Sequence, residues 1–315
     1  MKRIRNIFLA VIISIFVIVI IRDQIIKATV TLVATQVVGS PVHIDGFSLG
    51  VLQQSVKISG FKIYNPQGFS KGILVDLPKI NVTYDLGALF QRKLHLPSVE
   101  IELKEMGLER DSRGQLNVDS LKVVKPGKTQ EAKSSGQLPL HLDLVKLGIG
   151  RIVLKDYSAG KEPAVNVYDI NINKSYKNIT SAQQLAALIL AEPMKSAGIK
   201  GAKIYGAALL TGVAFLPISV AATFIGRDSV QQDFRANFGR IFGVSLATLK
   251  RMGKVTKEDR SGGILGAEIN DAQVSLKITQ KAGNLTGVVI SARKYLLPKP
   301  EIAGGVLYEI SEELR

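Results

Sequence analysis

The alternation of hydrophobic and polar positions changes character several times along this chain, and each change predicts a different element. From Ile7 to Ile21 the sequence is almost unbroken aliphatic, preceded by Lys2, Arg3 and Arg5 and closed by Arg22-Asp23. Counted from Ile4, a helix there would rise about 27 Å at 1.5 Å per residue, near the ~30 Å of a hydrocarbon core. The pattern predicts an N-terminal transmembrane anchor over residues 1–28, with the basic cluster holding the N-terminus in the cytoplasm. A cleaved signal peptide shares a charged start and an apolar run. The length of the run and the lack of a small-x-small site directly after it favour an uncleaved anchor.

Over residues 29–179 the period drops to two. Val56 and Ile58, then Phe61 and Ile63, flank Gly60, where the apolar face switches parity as at a bulge. Ile73, Val75 and Leu77 alternate before Pro78; Ile80, Val82 and Tyr84 follow it. Val99, Ile101 and Leu103 form another run, then Leu138 to Leu144, Ile152 with Leu154, Val165 with Val167, and Ile170 with Ile172. Turn signals at Asn65-Pro66-Gln67-Gly68 and Ser112-Arg113-Gly114 divide these runs, so the segment predicts an antiparallel β domain, groove- or sandwich-like. One face of such a sheet is apolar and has to be covered or hold a ligand. The polar stretch from Lys125 to Gln137 predicts a flexible linker within it.

Helical spacing returns across residues 180–227. Leu185, Leu188 and Ile189 fit a helix capped by Thr180 or Ser181 and interrupted at Pro193 and Gly198. The charge-free stretch from Ile204 to Gly226 is long enough, at about 33 Å, to be a second candidate membrane segment. Gly206, Gly212, Pro217 and several alanines dilute its hydrophobicity, and the same small residues would suit close helix contact in an oligomer. A buried helical hairpin is the other reading.

Residues 228–315 predict a small α-β-β-β-α module: an amphipathic helix with Phe234, Phe238, Ile241 or Phe242, Leu249 and Met252 on one face, ended by Gly253. Strands at Gly263–Ile269, Val274–Thr279 and Leu285–Ser291 follow, with turns at Asn270-Asp271 and Ala282-Gly283-Asn284. A last helix begins near Pro300-Glu301. Its final-turn acids Glu309, Glu312 and Glu313 oppose the helix dipole and predict fraying. The fold class is thus a membrane-anchored α+β protein.

Composition narrows the function more by exclusion than by assignment. The chain has no cysteine, which removes disulfides, thiol nucleophiles and cysteine metal sites. A net charge of +15 invites nucleic acid, but tryptophan is absent, aromatics are 6%, and no basic run is interleaved with aromatics. Dispersed positive charge on a tethered protein instead suits an anionic lipid surface. His43, His95 and His141 stand alone among strand residues, without the short spacing that metal or catalytic ligands need. Glu100 and Glu102 share one strand face and point to solvent. No phosphate loop, dinucleotide fingerprint or nucleophile elbow occurs, so no enzyme activity and no cofactor are expected.

One stretch carries a likeness. The apolar start, then Val42 to Leu49 (VHIDGFSL), then Val56 to Phe69 (VKISGFKIYNPQGF), resembles the opening of AsmA-like proteins. Asn117 to Leu121 (NVDSL) and Gly150 to Asp156 (GRIVLKD) are similar to that family's strand phrases, so the likeness covers about residues 1–175. Asn65, Pro66, Gly68 and Phe69 are its fold markers; read physically, Asn65-Pro66-Gln67-Gly68 is a β-turn. The resemblance implies a bacterial inner-membrane protein with a periplasmic β-groove that binds or helps move lipid and supports outer-membrane assembly. Large members have a groove long enough to bridge the envelope; here a hydrophobic helical region and a small module stand in its place. Alternation and resemblance together nominate Ile58, Ile80, Val82, Ile101 and Leu142 as contacts for acyl chains. Membrane lipids are the expected partners, with other envelope proteins or self-association through the Gly/Ala-rich stretch as further ones. The rival reading is an anchored scaffold whose apolar sheet face is closed by helices or a partner.

Overall fold

The computed structural model describes residues 21–124, 139–199, 229–295 and 297–314. It is mostly β, with 47% strand. A helix over residues 21–38 (α1) ends at Gly39, whose left-handed backbone (φ 76°) lets its N–H reach Thr35 O. Seven strands follow: β1 (Val42–Gly50), β2 (Ser55–Tyr64), β3 (Ile73–Thr83), β4 (Leu94–Leu96), β5 (Ser98–Arg110), β6 (Leu140–Asp156) and β7 (Ala164–Ile179). A short helix α2 (Leu86–Phe90) precedes β4, and two 3-10 turns, Asn117–Ser120 and Lys122–Val124, follow β5.

The main sheet runs β1-β2-β3-β5-β6, with β7 also paired to β6. Every pair in it is antiparallel except β5 with β6 and β4 with β6, which are parallel. A seam crosses this sheet. Ladder partners skip Asp45 opposite Gly60, Gly60 opposite Pro78, and Lys104 opposite Gly150. On β7 the register shifts again beside Asn171, which is left-handed at φ 47°. The core positions change parity across the seam: Ile44 to Phe47, Ile58 to Phe61, Leu77 to Ile80, Leu103 to Met106, Ile149 to Ile152. The switch expected at Gly60 (φ 60°) is therefore one member of a row. A lone slip would turn one strand's apolar residues to water; a shared one keeps them all on one side.

That side is covered by helices. Val30, Ala34 and Val38 of α1 join the core, as do Ala187, Leu188, Leu190 and Met194 of α3 (Ala182–Ser196). Ser181 caps α3 by accepting from Gln184 N–H. Pro193 lies inside the helix and does not interrupt it. The end comes at Gly198 (φ 68°), where Ile199 N–H bonds Met194 O and Gly198 N–H bonds Lys195 O. This paired closure satisfies the last carbonyls and buries Ile199.

The C-terminal module is larger than the α-β-β-β-α order expected. It runs β8 (Ser229–Phe234), α4 (Phe238–Met252), β9 (Lys254–Asp259), β10 (Ile264–Ile269), β11 (Ala272–Gln280), β12 (Thr286–Lys294), β13 (Leu297–Pro298) and α5 (Pro300–Glu313). Its sheet is ordered β13-β12-β11-β10-β9, with β8 beside β13 along the edge of β12 that faces away from β11. Phe234 thus belongs to β8 and not to the helix. The β8 and β9 sequences, SVQQDF and KVTKED, each bury little, so alternation does not reveal them. Asn270 and Asp271 both take positive φ, the tight hairpin turn their types favour. Gly253 ends α4 in extended conformation; a Cβ there would meet Glu268 O at 2.2 Å, so close approach and not a left-handed cap demands glycine. Fraying of α5 is countered by Arg251, which bonds Glu309 at 2.9 Å and Glu313 at 2.6 Å.

These findings correct the expected fold class. No helix among the described residues is long and apolar enough to cross a membrane, and the predicted N-terminal transmembrane helix is not supported. Of the Ile7–Ile21 segment only Ile21 is described; Lys125–Gln137 and Ile204–Gly226 lie outside the described residues.

The module leans on the outer face of the main sheet. Val153, Val165 and Val167 form a small buried cluster with Met252 and Tyr308. Ile152, Val153 and Leu154 are consequently all buried, because both faces of β6 are covered there. Contact is close at two glycines of α5: a Cβ on Gly305 would lie 1.9 Å from Val165 O, and on Gly304 3.2 Å from the Val167 Cβ. Gly305→Ala is expected to lose about 1–3 kcal/mol through overpacking against backbone. Gly304→Ala should come out near neutral, since about 1 kcal/mol of helix propensity offsets the tight contact. Thermal melting of the two variants checks the contrast; equal melting temperatures would refute it.

Candidate functional site

The apolar face is the first place to look, because the five nominated residues all fall on it. Ile58, Ile80 and Ile101 stand in one cross-strand row, with Leu147 next in line. Val82 is in the neighbouring row between Val56 and Val99, and Leu142 sits nearer the start of β6, opposite Ile179. Ile58, Ile80, Ile101 and Leu142 are buried and Val82 is half-buried, all in the core beneath α1 and α3. The face is covered in this conformation, so an acyl chain reaches these residues only if a covering helix moves.

The cover is not wholly apolar. Glu192 of α3 is 1% exposed and forms an ion pair with Lys174 of β7, which also reaches Ser196 at 3.3 Å. Tyr176 stands next along the same face of β7. Burial, reinforced by the Glu192 carboxylate, pushes its phenol far above the usual range, and its hydroxyl makes no hydrogen bond of good geometry. A polar knot of this kind under a helix is costly to bury, since desolvation of both charges offsets much of their attraction.

At one end of the sheet the family-like turn is fastened by a second polar network. The closing bond runs from Phe69 N–H to Pro66 O, so the turn is Pro66–Phe69, one residue later than the sequence suggested. Gly68 (φ 96°) holds its third position, as a type II turn requires. Asn65 donates to Glu109 Oε1 at 2.9 Å, and Ser70 N–H donates to Oε2 at 3.1 Å. Asn117, fully buried, donates to Asn65 Oδ1 at 2.8 Å and to Gly107 O at 3.0 Å. Asn117 lies in a 3-10 turn and not in a strand, so NVDSL is the partner of NPQGF. Neither Glu109 nor the Asn65–Asn117 pairing was foreseen; a polar residue in an otherwise apolar strand end was the only signal.

The opposite end carries the histidines. His95 Nε2 is 2.9 Å from Asp143, Nδ1 is 3.4 Å from Asp85, and His141 is 3.1 Å from Asp143. The pairing of β4 with β6 sets His95 beside His141, with ring centres 5.9 Å apart. Asp143 chiefly, then Asp85, raises the His95 pKa above its usual 6.5, with desolvation opposing. Asp85 is held low by the Ala88 N–H it caps and by His95. His43 sits apart, 3.1 Å from Asp45, and Glu100 and Glu102 pair across strands with Lys146 and Lys79. Among the described residues no group of three or more His, Asp or Glu could hold a metal ion. A cleft of about 960 Å³ opens between β7, β8 and α5, where Arg151, Asp169, Gln232 and Tyr308 line it. Burial pushes the Tyr308 phenol up to about 12.

Two outcomes follow from these networks. Asn117→Ala leaves Asn65 and Gly107 O without their donor and should cost about 1–3 kcal/mol, read by chemical denaturation. For His95, the raised pKa means its ion pairs stabilise the fold fully below about pH 6.5 and fade as pH climbs through the raised value. His95→Gln should therefore lower the melting temperature in mild acid and leave it unchanged well above neutrality. A pH-independent loss would contradict the charged-histidine account.

Comparison with known proteins brings the motif and the fold together. No curated protein matches the sequence. The profile of the AsmA family matches residues 1–289, taking in the apolar start of the sequence, the whole main sheet and most of the C-terminal module. Proteins of this family are associated with the cell envelope, in outer-membrane assembly or lipid transport. With the match running over most of its length, the chain belongs to the AsmA family.

Proposed function

We propose that this chain is a non-catalytic protein of the bacterial inner membrane, its β domain in the periplasm, that takes up lipid and so supports outer-membrane assembly. The acyl chain would lie along the row Ile58–Ile80–Ile101, with Val82 and Leu142 beside it, after α3 lifts. Membrane lipids are its partners in this reading. The observation that carries it is the Lys174–Glu192 pair: a permanent lid over so apolar a face would be fastened better by hydrocarbon. The rival, a scaffold, is favoured by a different observation, that most of the same face is buried in this conformation.

The double substitution Lys174→Met, Glu192→Met separates the two. It should stabilise the protein by about 1–4 kcal/mol, as replacement of buried pairs by apolar side chains often does. In native mass spectrometry of the full chain extracted from membranes, lipid bound per protein should fall severalfold relative to wild type. Undiminished lipid in the double variant would remove α3 as the lid. Absence of lipid from both proteins would leave the scaffold.

A further inference from the structure

Three elements put large apolar side chains into solvent at the histidine end of the sheet. The β1–β2 turn exposes Val51 and Leu52, the latter 92% accessible; α2 exposes Phe90 at 83%; the first turns of α1 expose Ile21 and Ile25. Hydrogen bonds hold these elements side by side. Arg22 of α1 donates to Leu49 O, Tyr84 Oη donates to Gly50 O, and Leu86 N–H donates to Gln54 Oε1. The projecting residues are thus mounted on a rigid sheet end. Apolar groups held out in this way mark an interaction site.

The exposed charges around them that lack a partner of opposite sign among the described residues are all positive. Lys57, Arg92 and Lys93 are exposed and have no acidic partner among the described residues, whereas Asp23, Asp85 and Asp143 are each within 3.4 Å of Arg22 or a histidine. The charge-free sequence from Asn6 to Ile21 also joins the fold at this end, through Arg22. Apolar tips ringed by free cations, continuous with a long apolar sequence, match the layered chemistry of an anionic bilayer: hydrocarbon inside, phosphate at the surface.

We propose that the β1–β2 turn and α2 form a membrane wedge, with Leu52 and Phe90 seated among lipid acyl chains and Arg92 and Lys93 at the phosphates. The wedge fixes which end of the sheet meets the bilayer. It stands whether or not the covered face takes up lipid. β6 alone spans about 53 Å at ~3.3 Å per residue, so the family-like turn at the other end is held well clear of the surface.

The absence of tryptophan makes the test direct. Leu52→Trp and Phe90→Trp each introduce a single fluorophore at an exposed position, and Tyr295→Trp (83% exposed, in the C-terminal module) serves as the control. The full chain is reconstituted into vesicles of phosphatidylethanolamine and phosphatidylglycerol whose acyl chains carry bromine. The two wedge probes should lose roughly half their emission, as groups buried in the acyl boundary would, while the control keeps its own. Adding Arg92→Glu and Lys93→Glu should restore emission. Wedge probes no more quenched than the control would overturn the proposal and point to a protein partner or a second copy. Equal quenching at all three sites would mean general adsorption, and overturns it as well.

Discussion

Everything in the main domain depends on a constraint of strand geometry: side chains alternate, so one unpaired residue sends all later ones to the other face. Each central strand here carries such a break. The structure survives it because Asp45, Gly60, Pro78, Lys104 and Gly150 line up across the sheet. Residue types at the seam serve that alignment. Gly60 supplies the left-handed turn, Pro78 needs no donor to a neighbour, and a Cβ on Gly150 would sit 2.5 Å from Lys104 O. With parity restored on both sides, a single apolar core extends from Val42 to Ile179 under two helices.

The polar groups are sorted to the ends of this sheet. One end is closed by a network of Asn65, Ser70, Glu109 and Asn117 with a single charge, satisfied by direct bonds around the buried Asn117 and Glu109. The other is open, with titratable histidines and projecting apolar side chains. The first arrangement resists change of shape and environment. The second responds to both.

Much of this was legible in the sequence, and the failures have physical causes. Period-two runs located β2, β3, β5, β6 and β7, and the Gly60 switch was visible because apolar residues on both sides of it are dense. β9 was invisible because an edge strand with one solvent face and polar side chains has no alternation to show. Pro193 misled because a proline in the last turns of a helix removes one bond that tertiary packing readily replaces. The five apolar candidates share one face, but whether that face is open depends on α1 and α3, elements distant in sequence. The Asn65–Asn117 bond spans 52 residues, beyond any local pattern.

The parallel pairing of β5 with β6 has a kinetic consequence. β1, β2, β3 and β5 form from neighbouring segments, and β6 with β7 forms across a short loop, so both halves close small loops. Joining them requires the crossover from Asp111 to Pro139, whose closure entropy is met only when the β5–β6 ladder forms. This ladder therefore carries the largest loop-closure cost in the domain, and the contact order it adds slows folding. Until it completes, the inner edges of β5 and β6 remain open, and a newly delivered chain would need protection there more than anywhere else along its length.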